Sequence, residues 1–143
     1  MLSINKVAYL NKKTSHPIVV TNGDVICDVK YSDILDFHKK HEASATMAVR
    51  LQERQNPYGV VKMEGVKIIG FEEKPCEKFH VNAGIYVISA KTLKFLDIDA
   101  FTDMPDFFHT LNTNNFTTFA YPMHEPWLDV GNPNDLQQAN SKY

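Results

Sequence analysis

His16-Pro17-Ile18-Val19-Val20-Thr21-Asn22-Gly23-Asp24 is a short β-branched apolar run opened by proline and closed by an Asn-Gly turn. A run without polar interruption suits a strand buried on both faces, as in a parallel sheet with a loop at its carboxyl end. From Tyr31 to Glu42, residues Tyr31, Ile34, Leu35 and His38 recur at helical spacing. Ser32 is the expected N-cap, and Lys39-Lys40-His41 suits the negative end of the helix dipole. Ala45 to Leu51 reads as the next strand. Tyr58–Met63 and Val66–Phe71 flank Glu64-Gly65, a two-residue connection with glycine where a tight hairpin wants positive φ. Val81 to Ile88 reads as the central strand. Ala90–Leu96, Met104–Asn112, with Pro105 in its first turn, and Pro133–Asn140 read as helices, and Phe116–Tyr121 as a strand.

Strands and helices alternate, with one hairpin inserted, so the expected fold class is α/β: a mixed, mainly parallel sheet with flanking helices. A chain of 143 residues suits one domain spanning 1–143. Composition narrows the partners. Fifteen Lys and Arg against seventeen Asp and Glu give a net charge of −2, with no basic block to track phosphates, so no nucleic acid is expected. No apolar run approaches the roughly 20 residues that span a bilayer, and Met1 to Lys6 is too polar for a secretory signal. No membrane association is expected. Cys27 and Cys76 lack metal or redox spacing and read as reduced thiols of a cytoplasmic protein. His38 and His41, three apart on a helix, could share a metal or mark a solvated face.

In open α/β sheets, ligands bind beyond the carboxyl ends of the strands, where two acids fall. Asp24 follows the first strand on a glycine-relieved turn, as a ligand for a hard cation or as a solvated turn residue. Asp129, in Trp127-Leu128-Asp129-Val130-Gly131, points to the opposite strand face from Leu128 and Val130 and could lie beside Asp24, or serve as a turn or capping residue. Two carboxylates sharing a site repel, and a divalent metal resolves the conflict. Between them, Glu72-Glu73-Lys74-Pro75 ends a strand with charge. Glu73 could accept from sugar hydroxyls and Lys74 could bind a phosphate, or both could simply be solvated.

Asn22-Gly23-Asp24, Tyr58-Gly59-Val60-Val61, Glu72-Glu73-Lys74-Pro75, Val81-Asn82-Ala83-Gly84-Ile85-Tyr86 and Trp127-Leu128-Asp129-Val130-Gly131 follow one another in that order. In this the chain resembles the sugar-nucleotide pyrophosphorylases, nucleotidyltransferases that join a sugar 1-phosphate to a nucleoside triphosphate. The likeness runs from about Pro17 to Asn140 and is greatest to the mannose-1-phosphate guanylyltransferase-like branch. It implies a partial Rossmann-like fold, with Asp24 and Asp129 binding catalytic Mg²⁺ and Lys74 acting beside them. It further implies that Asn22, Gly23, Gly59, Glu73, Lys74, Asn82 and Gly84 contact substrate.

The chain departs from this pattern at one point. Family members begin with a glycine-rich G-x-G-T-R-x-x-P-x-T segment that wraps the triphosphate, and nothing before Asn22 matches it. The resemblance therefore implies the carboxyl-terminal part of such a domain, expected to be inactive alone and to self-associate as a homo-oligomer. The alternative expectation is a non-catalytic module that binds a sugar phosphate or a partner.

Overall fold

The computed structural model describes residues 4–10 and 13–131. After a 3-10 helix, Asn5–Leu10, come β1 (Ile18–Thr21), β2 (Val25–Cys27), α1 (Tyr31–Lys40), β3 (Ala45–Gln55), β4 (Val60–Glu64), β5 (Lys67–Glu72) and β6 (Cys76–Ile88). A second 3-10 helix, Ala90–Phe95, then α2 (Met104–Thr113), β7 (Thr118–Pro122) and β8 (Trp127–Asp129) complete the described chain. The helix expected at Pro133–Asn140 lies outside the described residues.

The main sheet has the order β1-β6-β3-β7. β6 is antiparallel to both β1 and β3, while β3 and β7 pair in parallel. The sheet is thus mixed: β1, β3 and β7 run one way and β6 against them. The first strand departs from expectation, because β1 is a half-buried edge paired antiparallel to β6 and not a buried parallel strand. Its apolar run reflects packing on both faces and carries no information on pairing direction.

Two cores sandwich β6, which explains its unbroken apolar run from Ala83 to Ile88. Tyr86 and Ile88 face one core, with Leu93, Phe107 and Leu111. Ile85 and Val87 face the other, with Ile34, Ala48 and Met123. Alternation along a strand places these pairs on opposite faces. Beyond Leu51, β3 and β6 leave the core as an exposed two-stranded arm, longer than the apolar pattern indicates. Opposite charges face each other across it, with Lys78–Glu53 and Arg54–Glu77 both at 2.8 Å. Such exposed pairs add little stability but favour the observed register.

α2 is capped by Asp103, whose side chain accepts from the Asp106 N–H at 2.9 Å. α1 is not: Lys30 holds the N-cap position without a side-chain bond, and the Ser32 hydroxyl donates to Asp33 Oδ1 instead. The hairpin turn is Gly65-Val66, one residue later than expected, with Glu64 opposite Lys67 and Gly65 at φ 60°. Val61 and Phe71, and Met63 and Ile68, oppose each other on one hairpin face and all stay exposed. Lys62 and Glu72 form an ion pair at 2.9 Å.

His38 is buried, unlike His41, and joins α1 to the sheet. The Ser89 hydroxyl donates to the Ala43 carbonyl at 2.8 Å. With its proton so used, Ser89 Oγ accepts from His38 Nε2 at 2.9 Å, and Nδ1 lies 2.9 Å from the Thr46 hydroxyl. In the neutral ring Nε2 is therefore the protonated nitrogen and Nδ1 the acceptor. Burial, aided by the nearby Lys91 charge, lowers the His38 pKa. The unfolded chain therefore takes up this proton first. Stability is expected to fall as pH drops below about 6.5 and to keep falling until the folded ring titrates. Urea unfolding between pH 8 and pH 5 checks this, with a shallower slope expected for His38→Gln.

Candidate functional site

The site grows from the end of β1. There the Asn22 N–H donates to the Gly84 carbonyl at 2.8 Å, and the chain turns into β2. β2 pairs antiparallel with β8, aligning Val25 with Asp129 and Cys27 with Trp127, and the Val130 N–H donates to the Asp24 carbonyl at 2.8 Å. β2 did not stand out in the sequence, since three residues are too few to show a period.

At the end of this ladder the two acids converge. A Cβ on Gly131 would stand 3.1 Å from Asp129 Oδ1 and 3.8 Å from Asp24 Oδ2. The Gly131 N–H donates to Asp129 Oδ1 at 3.0 Å. Any larger residue at 131 would crowd the space that the carboxylates share, so the glycine keeps a small cradle open between them. Both acids are exposed, and no cluster of three or more His, Cys, Asp or Glu occurs among the described residues. Two carboxylates with the remaining coordination directions open suit a hard divalent cation that also binds substrate oxygens.

Gly84 is held at φ +75°, and a Cβ there would lie 2.9 Å from both Asn22 Nδ2 and Val25 Cγ2. These residues flank Asp24. Asn82 shapes the same turn: its Oδ1 accepts from the Gly84 N–H at 2.9 Å and its Nδ2 donates to the Tyr86 hydroxyl at 2.8 Å. Burial raises the Tyr86 pKa and keeps that hydroxyl protonated. Gly84→Ala is expected to cost about 3 kcal/mol, combining left-handed strain with overpacking. Chemical denaturation checks this, and an unchanged midpoint would contradict it.

A second group lies at the hairpin exit. A Cβ on Gly59 would meet Glu73 Oε2 at 3.2 Å, and Lys74 adopts φ 42°, an unusual conformation for a non-glycine residue. Both Glu73 and Lys74 are exposed. Asn82 stands on β6, six residues beyond Cys76, where it binds the Gly84 N–H. Gly23 lies in the turn before Asp24 with open space around it. Sequence reasoning missed Trp127 as a structural contact: its Nε1–H donates to the Ala83 carbonyl at 2.9 Å. A cavity of about 300 Å³ lined by Pro17, His38, Ser89 and Lys91 lies at the other end of β1 and includes none of the expected site residues.

The nucleotidyl transferase family model matches residues 3–143. The chain belongs to the nucleotidyltransferase family. It is 32% identical over 135 residues to the mannose-1-phosphate guanyltransferase of Yarrowia lipolytica, covering 92% of this chain and 37% of that protein. It is 33% identical over 132 residues to the mannose-1-phosphate guanylyltransferase catalytic subunit beta of Danio rerio, covering 89% of this chain and 36% of the relative. This nucleotidyltransferase chain thus spans little more than a third of either relative. The crystal structure of HddC from Yersinia pseudotuberculosis complexed with GMP-PN superposes with TM-score 0.63 at 20% identity, covering 96% of this chain and 60% of that one. At that identity the superposition bears on the fold, which is that of a nucleotidyltransferase.

Proposed function

We propose that this chain carries the metal and sugar-phosphate side of a sugar-1-phosphate nucleotidyltransferase site. The observation behind this reading is the Asp24–Asp129 pair around Gly131, at strand ends of a chain whose family is established. In the proposed reaction a phosphate oxygen of the sugar 1-phosphate bonds to the α-phosphorus of a nucleoside triphosphate. The α–β bridge bond breaks, and pyrophosphate leaves with its electron pair. Two anions must approach, so charge is the physical obstacle.

Asp24 and Asp129 would hold Mg²⁺, which when bound offsets phosphate charge and orients the oxygens. Lys74 presents a point charge for the sugar phosphate, and Glu73 accepts from sugar hydroxyls. Gly59 gives the Glu73 carboxylate room. Asn22, Asn82 and Gly84 hold the turn beneath Asp24. The names of the curated relatives make mannose 1-phosphate the first substrate to try, with a guanine nucleotide as its partner. Free Cys27 and Cys76 are compatible with a reducing compartment, and we place the activity in the cytoplasm. Self-association is proposed through the exposed apolar hairpin face. A second reading, a sugar-phosphate-binding module without catalysis, is favoured by the missing glycine-rich segment in these 143 residues.

Titration with mannose 1-phosphate in the presence of Mg²⁺ tests the pocket. Lys74→Ala is expected to weaken binding roughly tenfold to a hundredfold, the worth of a charge-assisted contact. Lys39→Ala, on α1, is expected to change it less than twofold. Equal effects would remove Lys74 from the site.

A further inference from the structure

The β2–β8 ladder is a separate two-stranded sheet of three residue pairs, so its own hydrogen bonds do not fix its seat on the main sheet. β6 supplies the seat through an irregularity. β3 pairs Met47 with Tyr86 and then Val49 with Asn82, so Ala83, Gly84 and Ile85 have no register partner in β3. The carbonyls of two of these residues are taken by the two segments that carry the acids. Gly84 accepts from the Asn22 N–H, two residues before Asp24, at 2.8 Å. Ala83 accepts from the Trp127 indole, two residues before Asp129, at 2.9 Å. One bulge thus holds one tether for each acid.

The two tethers differ in kind. The first is main chain to main chain, set by continuation of the β1–β6 ladder. The second is a side-chain bond, and so depends on the residue type at 127. Along a strand, residues two apart share a face, about 7 Å from each other, so the ring of Trp127 and the carboxylate of Asp129 leave β8 on the same side. Asn82, which binds the Gly84 N–H from the same bulge, is registered against both acids by this arrangement. We infer that Trp127 is a positioning residue: its indole N–H bond to Ala83 sets where Asp129 stands relative to Asp24 and Asn82. The inference deepens the proposed metal site and rests on it.

The test is Mn²⁺ binding to the 143-residue chain, followed by the electron paramagnetic resonance of free Mn²⁺, for wild type and Trp127→Phe. Phenylalanine keeps most of the apolar packing and removes the donor. Phe107→Leu, in the core on the opposite face of the sheet, supplies a comparably destabilised chain. Trp127→Phe is expected to bind Mn²⁺ about tenfold more weakly than wild type, and Phe107→Leu as wild type. Equal affinities in all three would overturn the positioning role while leaving the metal site intact. No binding by wild type would overturn both readings.

A second measurement needs no variant, because Trp127 is the only tryptophan in the chain. Its single indole proton is expected to exchange slowly with solvent and to shift in the nuclear magnetic resonance spectrum as Mg²⁺ is added. A proton that exchanges at the solvent rate, or that does not respond to Mg²⁺, overturns the inference even if the variant fails to fold.

Discussion

Pyrophosphate release by the 143-residue chain alone, supplied with GTP, mannose 1-phosphate and Mg²⁺, is expected to match the protein-free blank. Asp24 and Asp129 are proposed to hold a cation and Lys74 a sugar phosphate, but these 143 residues contain no glycine-rich segment whose backbone N–H groups would fix the triphosphate. Holding reactants in line is worth roughly 7–11 kcal/mol of barrier, which corresponds to about five to eight powers of ten in rate. The check is a coupled pyrophosphate assay on this chain and on a fusion that places a G-x-G-T-R-x-x-P-x-T segment ahead of it. Turnover by the fusion alone is expected. Equal turnover by both would show that phosphate positioning comes from residues within the 143.

The second large effect concerns the acid pair. Removing one of two carboxylates that face a common point halves the local negative charge and leaves a single anchor. Cations held by oxygen depend strongly on ligand charge and number. Asp24→Asn and Asp129→Asn are each expected to weaken divalent binding at least tenfold, and together to abolish it. Gly131→Ala should act in the same direction with both acids intact, because its Cβ would stand 3.1 Å from Asp129 Oδ1. Stability should change little in the two asparagine variants, since both side chains are exposed.

Much of the fold could be read from particular residues. The apolar stretch Ala83 to Ile88 marks the central strand because both of its faces are buried. Gly65 marks the hairpin, displaced by one residue. Pro105 marks the start of α2. The direction of β1 could not be read, since Ile18, Val19 and Val20 would suit either a parallel or an antiparallel neighbour. The arm formed by the ends of β3 and β6 was hidden because its register rests on charge pairs such as Glu53 and Lys78, which look like any solvated surface. At the site, Asp24 and Asp129 stood out as acids on turns after apolar runs. The cradle at Gly131 and the hold of Ala83 on Trp127 are relations between segments more than forty residues apart along the chain, and no local pattern carries them. His38 gave a hint of burial through its helical spacing with Ile34. Its partners Thr46 and Ser89 are visible only in the folded chain.

The proposed hold of Asp24 and Asp129 on one divalent cation has a direct reporter in the sole tryptophan. Mn²⁺ is paramagnetic and quenches nearby indole fluorescence, and Trp127 lies two residues from Asp129 on β8. Titrating the wild-type chain with Mn²⁺ is expected to quench Trp127 emission saturably. Excess Mg²⁺ should reverse the quench, and it should be lost in the Asp24→Asn/Asp129→Asn double variant. Quenching of the same depth and midpoint in that double variant would place the cation elsewhere and contradict the account.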